Sequence, residues 1–89
     1  MTIRIENYAD GRKTVIRLSG RLQSTHLAEL TTQLEGARSR IALDLSGVVL
    51  VDVEVVRFLN ACEKSGTELI HCSPYIREWM AREQVRKST

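Results

Sequence analysis

Eighty-nine residues suffice for one hydrophobic core but not two, and a chain of this length buries roughly 60–65% of its unfolded surface on folding. Hydrophobic residues at 43%, charged residues at 27%, one proline and five glycines describe an ordinary globular composition rather than a disordered or low-complexity chain. A net charge of +2 is too small to imply a nucleic-acid or membrane partner, and no apolar run approaches the roughly 20 residues that cross a bilayer.

Met1-Thr2-Ile3-Arg4-Ile5-Glu6 lacks the basic-then-apolar order of a signal peptide, which points to the cytoplasm. Cys62 and Cys72 stand in no metal or redox spacing and read as reduced, partly buried side chains. Ile3 and Ile5 alternate with Arg4 and Glu6, as in a short first strand. Tyr8-Ala9-Asp10-Gly11 then supplies a turn, and the β-branched run Thr14-Val15-Ile16-Arg17-Leu18 a second strand, so the pair forms an antiparallel hairpin. Ser24 or Thr25 can cap a helix whose apolar stripe is Leu27, Leu30, Leu34 and Ala37.

Ile41-Ala42-Leu43-Asp44-Leu45 has the pattern of a buried strand with Ala42 and Asp44 on its second face. Ser46-Gly47 interrupts it, and Val48-Val49-Leu50-Val51 leads on to Asp52, a good N-cap for a helix reaching about Lys64. Ser65-Gly66 ends that helix, Glu68 to Cys72 is a fourth strand, and Ser73-Pro74 opens a last helix carrying Ile76, Trp79 and Met80. The order ββαβαβα is that of an α/β fold in one domain spanning residues 1–89, with a mixed sheet of about four strands and three helices packed on it.

Four segments in register resemble the STAS family, which includes the anti-sigma-factor antagonists: Arg17-Leu18-Ser19-Gly20-Arg21-Leu22, Ile41 to Val48, Asp52 to Leu59, and Ser65-Gly66 with Ser73-Pro74. The resemblance covers residues 12–83. It implies a regulatory module that binds another protein, commonly an anti-sigma kinase, through the start of the second helix and the loop after Gly20. The residues placed there are Asp52, Val53, Glu54, Arg57, Arg21 and Gln23. In the family the second Ser of an Asp-Ser-Ser-Gly motif is phosphorylated to release the partner.

This chain departs from that pattern. Val53 and Glu54 replace the two serines and Val55 the glycine; Arg21 stands in place of Glu and Gln23 in place of Asp. The last strand and last helix that many members possess are expected to be missing after the third helix. No phosphorylatable hydroxyl remains at the switch, so either a constitutive adaptor or a member regulated in some other way is expected. Glu54 reads either as a fixed charge standing in for a phosphate or as an acid suited to a helix's first turn.

Other members imply two alternatives, a subunit of a transporter or lipid-transport assembly and a small-nucleotide-binding domain. A homodimer is among the expected partners; nucleic acid and membrane insertion are not. On a helical wheel Val55, Phe58, Leu59 and Cys62 face inward with Val56 at their margin, whereas Glu54, Arg57, Ala61 and Lys64 face solvent with Val53 near their edge.

His26 reads as a surface residue. His71 and Cys72, neighbours in a strand, point to opposite faces and cannot share a metal. Arg77, Arg82, Arg86 and Lys87 around Trp79 read as a solvated face with Trp79 turned inward. No nucleophile elbow, phosphate-binding loop or metal-ligand spacing is present, so no enzymatic activity, cofactor or metal is expected.

Overall fold

A computed structural model describes residues 3–36 and 40–87. Strand β1 (Arg4–Asp10) and strand β2 (Lys13–Leu22) form an antiparallel hairpin. A single 3-10 turn, Ser24–His26, leads into helix α1 (Leu27–Gly36). Strand β3 (Arg40–Val51), helix α2 (Val53–Lys64), strand β4 (Glu68–Ile70) and helix α3 (Pro74–Lys87) complete the order. The four strands lie in the order β1-β2-β3-β4, with β3 parallel to both β2 and β4. This is the mixed sheet with three helices that the ββαβαβα pattern predicts.

Period-2 alternation explains the core. Ile16, Leu18 and Leu22 of β2 and Leu43, Leu45 and Val51 of β3 meet Leu30 of α1, Val55, Val56 and Leu59 of α2, and Ile76 and Met80 of α3 in one cluster. Each of these is 6% exposed or less, so all three helices contribute to a single core beneath the same face of the sheet. The opposite face carries Arg4, Glu6, Tyr8 and Arg17, all exposed, with Val15 and Ala42 buried between the strands.

Several boundaries differ from those the sequence suggests. β1 runs on through Tyr8-Ala9-Asp10, and the hairpin turns at Gly11-Arg12 instead; Gly11, at φ 65°, takes the first central position of the two-residue loop, where a type II′ turn requires a positive φ. Neither Ser24 nor Thr25 caps α1 directly, because a 3-10 turn with Gln23 as its N-cap precedes the helix. The Ala37 position of the α1 stripe lies outside the described residues. Val56 is fully buried rather than marginal, and the polar Asn60 is buried beside it.

The main correction concerns β3, which is one continuous strand, not a strand broken at Ser46-Gly47. Its register against β2 slips twice. From Arg17–Asp44 to Ser19–Gly47, β3 advances one residue more than β2, and it does so again from Gly20–Val48 to Arg21–Leu50. Each slip is a bulge that inserts one extra residue and re-aims the side chains after it. Gly47 permits the first: a Cβ there would lie 2.5 Å from Ser19 Oγ and 2.9 Å from Ser19 Cβ.

β4 ends at Ile70, not Cys72. His71 takes φ 57°, a left-handed conformation uncommon outside glycine, so the alternation that would set His71 and Cys72 on opposite faces does not apply.

Candidate functional site

The six residues picked out from the sequence gather at the carboxyl ends of β2 and β3 and the start of α2. In open α/β sheets this edge, where strands hand over to helices, is the usual binding side. Asp52 organises it. Its Oδ1 accepts from the Val55 backbone N–H at 3.0 Å, the N-cap bond, and its Oδ2 accepts from the Ser24 N–H at 3.0 Å. One carboxylate therefore caps α2 and ties the β2–α1 connection to it. With both oxygens engaged, Asp52 shapes the surface and is not a free acid.

Glu54 is exposed, as expected, but not alone. Arg57 Nη1 lies 3.5 Å from Glu54 Oε2, while its Nε donates to Glu83 Oε1 at 3.2 Å. The Glu83 side chain is only 10% exposed, so Arg57 is clamped between its own helix and α3. The guanidinium is already neutralised on both sides. Val53 is half-buried rather than exposed.

Arg21 is exposed on the open face of the sheet beside Leu50, and among the described residues no acid lies within ion-pair distance of it. Gln23 is exposed, and its backbone N–H donates to His26 Nδ1 at 3.1 Å. His26 is thus a half-buried part of this connection, not a solvated surface residue.

The largest addition to the site is Val49 and Leu50, 72% and 46% exposed. The second bulge of β3 sets them there. Val48 and Val51 turn toward the core, Leu50 turns with Arg21 to the open face, and Val49 is the extra residue between them. A run of four apolar residues in sequence reads as buried, but a strand with one open face cannot bury all four. That conflict, together with Gly47 inside the strand, is the signal that points to them.

Other chemistry is sparse. On the open face Asp44, 5% exposed, accepts from the Ser46 N–H at 2.9 Å and lies 3.2 Å from His71 Nδ1. Burial on its own raises the Asp44 pKa, but hydrogen bonds from the Ser46 backbone and hydroxyl, with His71 adding to them, more than reverse this and hold it below 3.8. Among the described residues no three His, Cys, Asp or Glu side chains converge as metal ligands, and no helix is long and apolar enough to cross a membrane.

Three surface depressions, of about 470, 490 and 400 Å³, include among their lining Arg4, Arg40 and no basic residue respectively. On α3, Arg77 pairs with Glu63 at 2.8 Å and Arg82 pairs with Glu78, so this helix carries no free basic stripe up to residue 85. Trp79 is half-buried against the core, its ring 5.9 Å from that of Tyr75. The side chains of Arg86 and Lys87 lie outside the described residues.

A family model described as "Mlab, STAS domain" matches residues 6–70 of the 89, from within β1 to the end of β4. No curated protein matches the chain.

Proposed function

Because the chain belongs to the STAS domain family, we propose that it is a non-enzymatic docking module that binds another protein through the carboxyl edge of its sheet, without a phosphorylation switch. The observation that carries this reading is the exposed pair Val49 and Leu50, continuous with the first turn of α2 and beside Arg21, which has no ion-pair partner among the described residues. Neighbouring apolar side chains held in water by the second bulge of β3, with a cation at their rim, have the make-up of an interface centre.

The absence of a switch follows from chemistry at the helix start. Neither Val53 nor Glu54 carries a hydroxyl, and Arg57, the nearest cation on α2, is already held by Glu54 and Glu83. A phosphate would find no free base on this helix turn. With no hydroxyl at Val53 or Glu54 for a kinase to modify, the family's range narrows in favour of a subunit of a transporter or lipid-transport assembly over reversible pairing with an anti-sigma kinase. Among the described residues, none of the three surface depressions is lined by more than one basic side chain, which gives a nucleotide's phosphates little charge to bind. Two free cysteines support a reducing compartment, hence the cytoplasm.

The test compares affinity purification with wild type, Leu50→Asp and Glu54→Ser, each checked for folding by circular dichroism. Wild type and Glu54→Ser are expected to retain a partner that Leu50→Asp loses, and mass spectrometry then assigns it to a transporter ATPase or a kinase-like protein. A folded Leu50→Asp that recovers the same partner in full would remove this face as the interface. Calorimetric heat with millimolar ATP or GTP would redirect the reading to a nucleotide.

A further inference from the structure

The other edge of the sheet leads to a separate conclusion, independent of the docking face. β1 is an edge strand seven residues long, paired along its whole length with β2 in an unbroken register from Arg4–Ser19 to Asp10–Lys13. No bulge or proline interrupts it, and from Glu6 to Asp10 every residue is exposed. β4, at the opposite edge, has only three residues. A long regular edge presents a row of unpaired backbone donors and acceptors, an arrangement that folded proteins either blunt or use for pairing.

Hairpin geometry shows which groups are presented. Asp10 and Lys13 flank the two-residue turn at Gly11-Arg12 and exchange backbone hydrogen bonds across it. Alternation then directs the backbone groups of Asp10, Tyr8, Glu6 and Arg4 toward β2, and those of Ala9, Asn7 and Ile5 outward. An antiparallel partner strand must therefore meet odd residues with odd residues.

For two copies of this strand, charge selects among the registers that remain. Centred on Asn7 against Asn7, the pairing sets Ile5 opposite Ala9, Glu6 opposite Tyr8, and Arg4 opposite Asp10 at both ends. All seven residues pair and no like charges meet. Moved one step toward the N-terminus, Glu6 faces Glu6; one step toward the turn, Glu6 faces Asp10 twice and Arg4 faces Arg12. Shifts beyond these leave at most three strand residues of each copy overlapping.

Arg4 and Asp10 are both exposed, and among the described residues neither has an ion-pair partner within its own chain. The α1 side chain that reaches this edge at its centre is the neutral Gln33, which accepts from Asn7 Nδ2 at 2.9 Å.

We propose that two copies of this chain associate through β1 in antiparallel register about Asn7, joining their sheets into one of eight strands with Arg4 of each copy paired to Asp10 of the other. The docking face at the carboxyl ends of β2 and β3 stays outside this contact, so the dimer presents that face twice.

The test is a charge-reversal cycle read by light scattering after size exclusion, over a protein concentration series. Wild type is expected to show a concentration-dependent dimer. Arg4→Asp and Asp10→Arg each convert both attractive pairs into repulsive ones and should weaken association by about tenfold or more. The double reversal Arg4→Asp/Asp10→Arg restores opposite signs and should restore the dimer.

Both sites are exposed, so the variants are expected to fold, and circular dichroism checks this. A second measurement fixes the register: Asn7→Cys should cross-link to itself on mild oxidation, because facing Cα atoms in such a pair lie about 5.5 Å apart, whereas Tyr8→Cys should not. A wild type that remains monomeric into the high micromolar range overturns the proposal. A double reversal as weak as the single variants overturns it as well.

Discussion

Asp52 shows how one side chain can set a surface without being its contact. A helix start leaves backbone N–H groups without partners, and a carboxylate at the N-cap accepts one of them. Here Oδ1 does so for Val55, while Oδ2 reaches across to the Ser24 N–H and fixes the loop that follows β2. Asp52→Ala removes both bonds and should destabilise the fold by about 1–2 kcal/mol. Asp52→Asn keeps an oxygen for Val55 but offers the Ser24 N–H only a second donor, so its loss should be smaller. Urea unfolding of the three proteins checks the order, and equal losses would mean that the tether to Ser24 contributes nothing. The cap itself was legible, since Asp before a helical pattern is a local signal. The Ser24 bond was not, because it joins positions 28 residues apart and no spacing rule carries information over that distance. The same limit hid Glu83, whose clamp on Arg57 arises only when α3 folds back on α2.

Strand β3 makes the corresponding case for an element. Where alternation is clean, as in Thr14 to Leu18 and Ile41 to Leu45, sequence and structure agree on strand and face. Beyond Leu45 the pattern fails: Ser46-Gly47 reads as a break and Val48 to Val51 as an apolar segment with no alternation to assign its faces. Two bulges resolve both readings, keeping the strand continuous while turning Val49 and Leu50 to solvent. The first of these bulges depends on the backbone path at Gly47. A Cβ there would lie 2.5 Å from Ser19 Oγ and 3.1 Å from the Leu18 carbonyl oxygen, the second of which is backbone and cannot turn aside. Gly47→Ala should therefore cost about 1–3 kcal/mol, as overpacked sites do. Removing the nearer obstacle tests the cause. Gly47→Ala combined with Ser19→Gly should recover part of the loss, measured as a non-additive double-mutant cycle in denaturant. Strict additivity would show that the close approach to Ser19 is not what the glycine serves.

For the whole molecule the question is how far α3 belongs to the folded unit, since the family match ends at residue 70 and α3 begins at Pro74. Its apolar contribution is substantial: Ile76 and Met80, each 2% exposed, sit in the same cluster as Leu59 and Cys62. Polar contacts fix the same seam. Asn60 Nδ2 donates to the Met80 carbonyl at 3.0 Å, Gln84 Nε2 donates to Asn60 Oδ1 at 2.8 Å, and Arg57 meets Glu83. A helix held by core packing and by bonds to a buried amide should leave only when everything else does. The two thiols can report this. Burial pushes Cys62 up to about 11 and leaves it 5% exposed, whereas Cys72, also raised by burial, is half-buried in the connection before α3. Because the thiolate is the reactive form, labelling with a disulfide reagent near pH 8 should be biphasic, with Cys72 fast and Cys62 slow. If α3 is part of one cooperative unit, the slow rate rises with urea as steeply as global unfolding does. Asn60→Ala, which removes two of the bonds across the seam, should then speed both by the same factor. A slow phase indifferent to urea would mean instead that α3 detaches by itself and exposes Cys62 while the sheet stays folded.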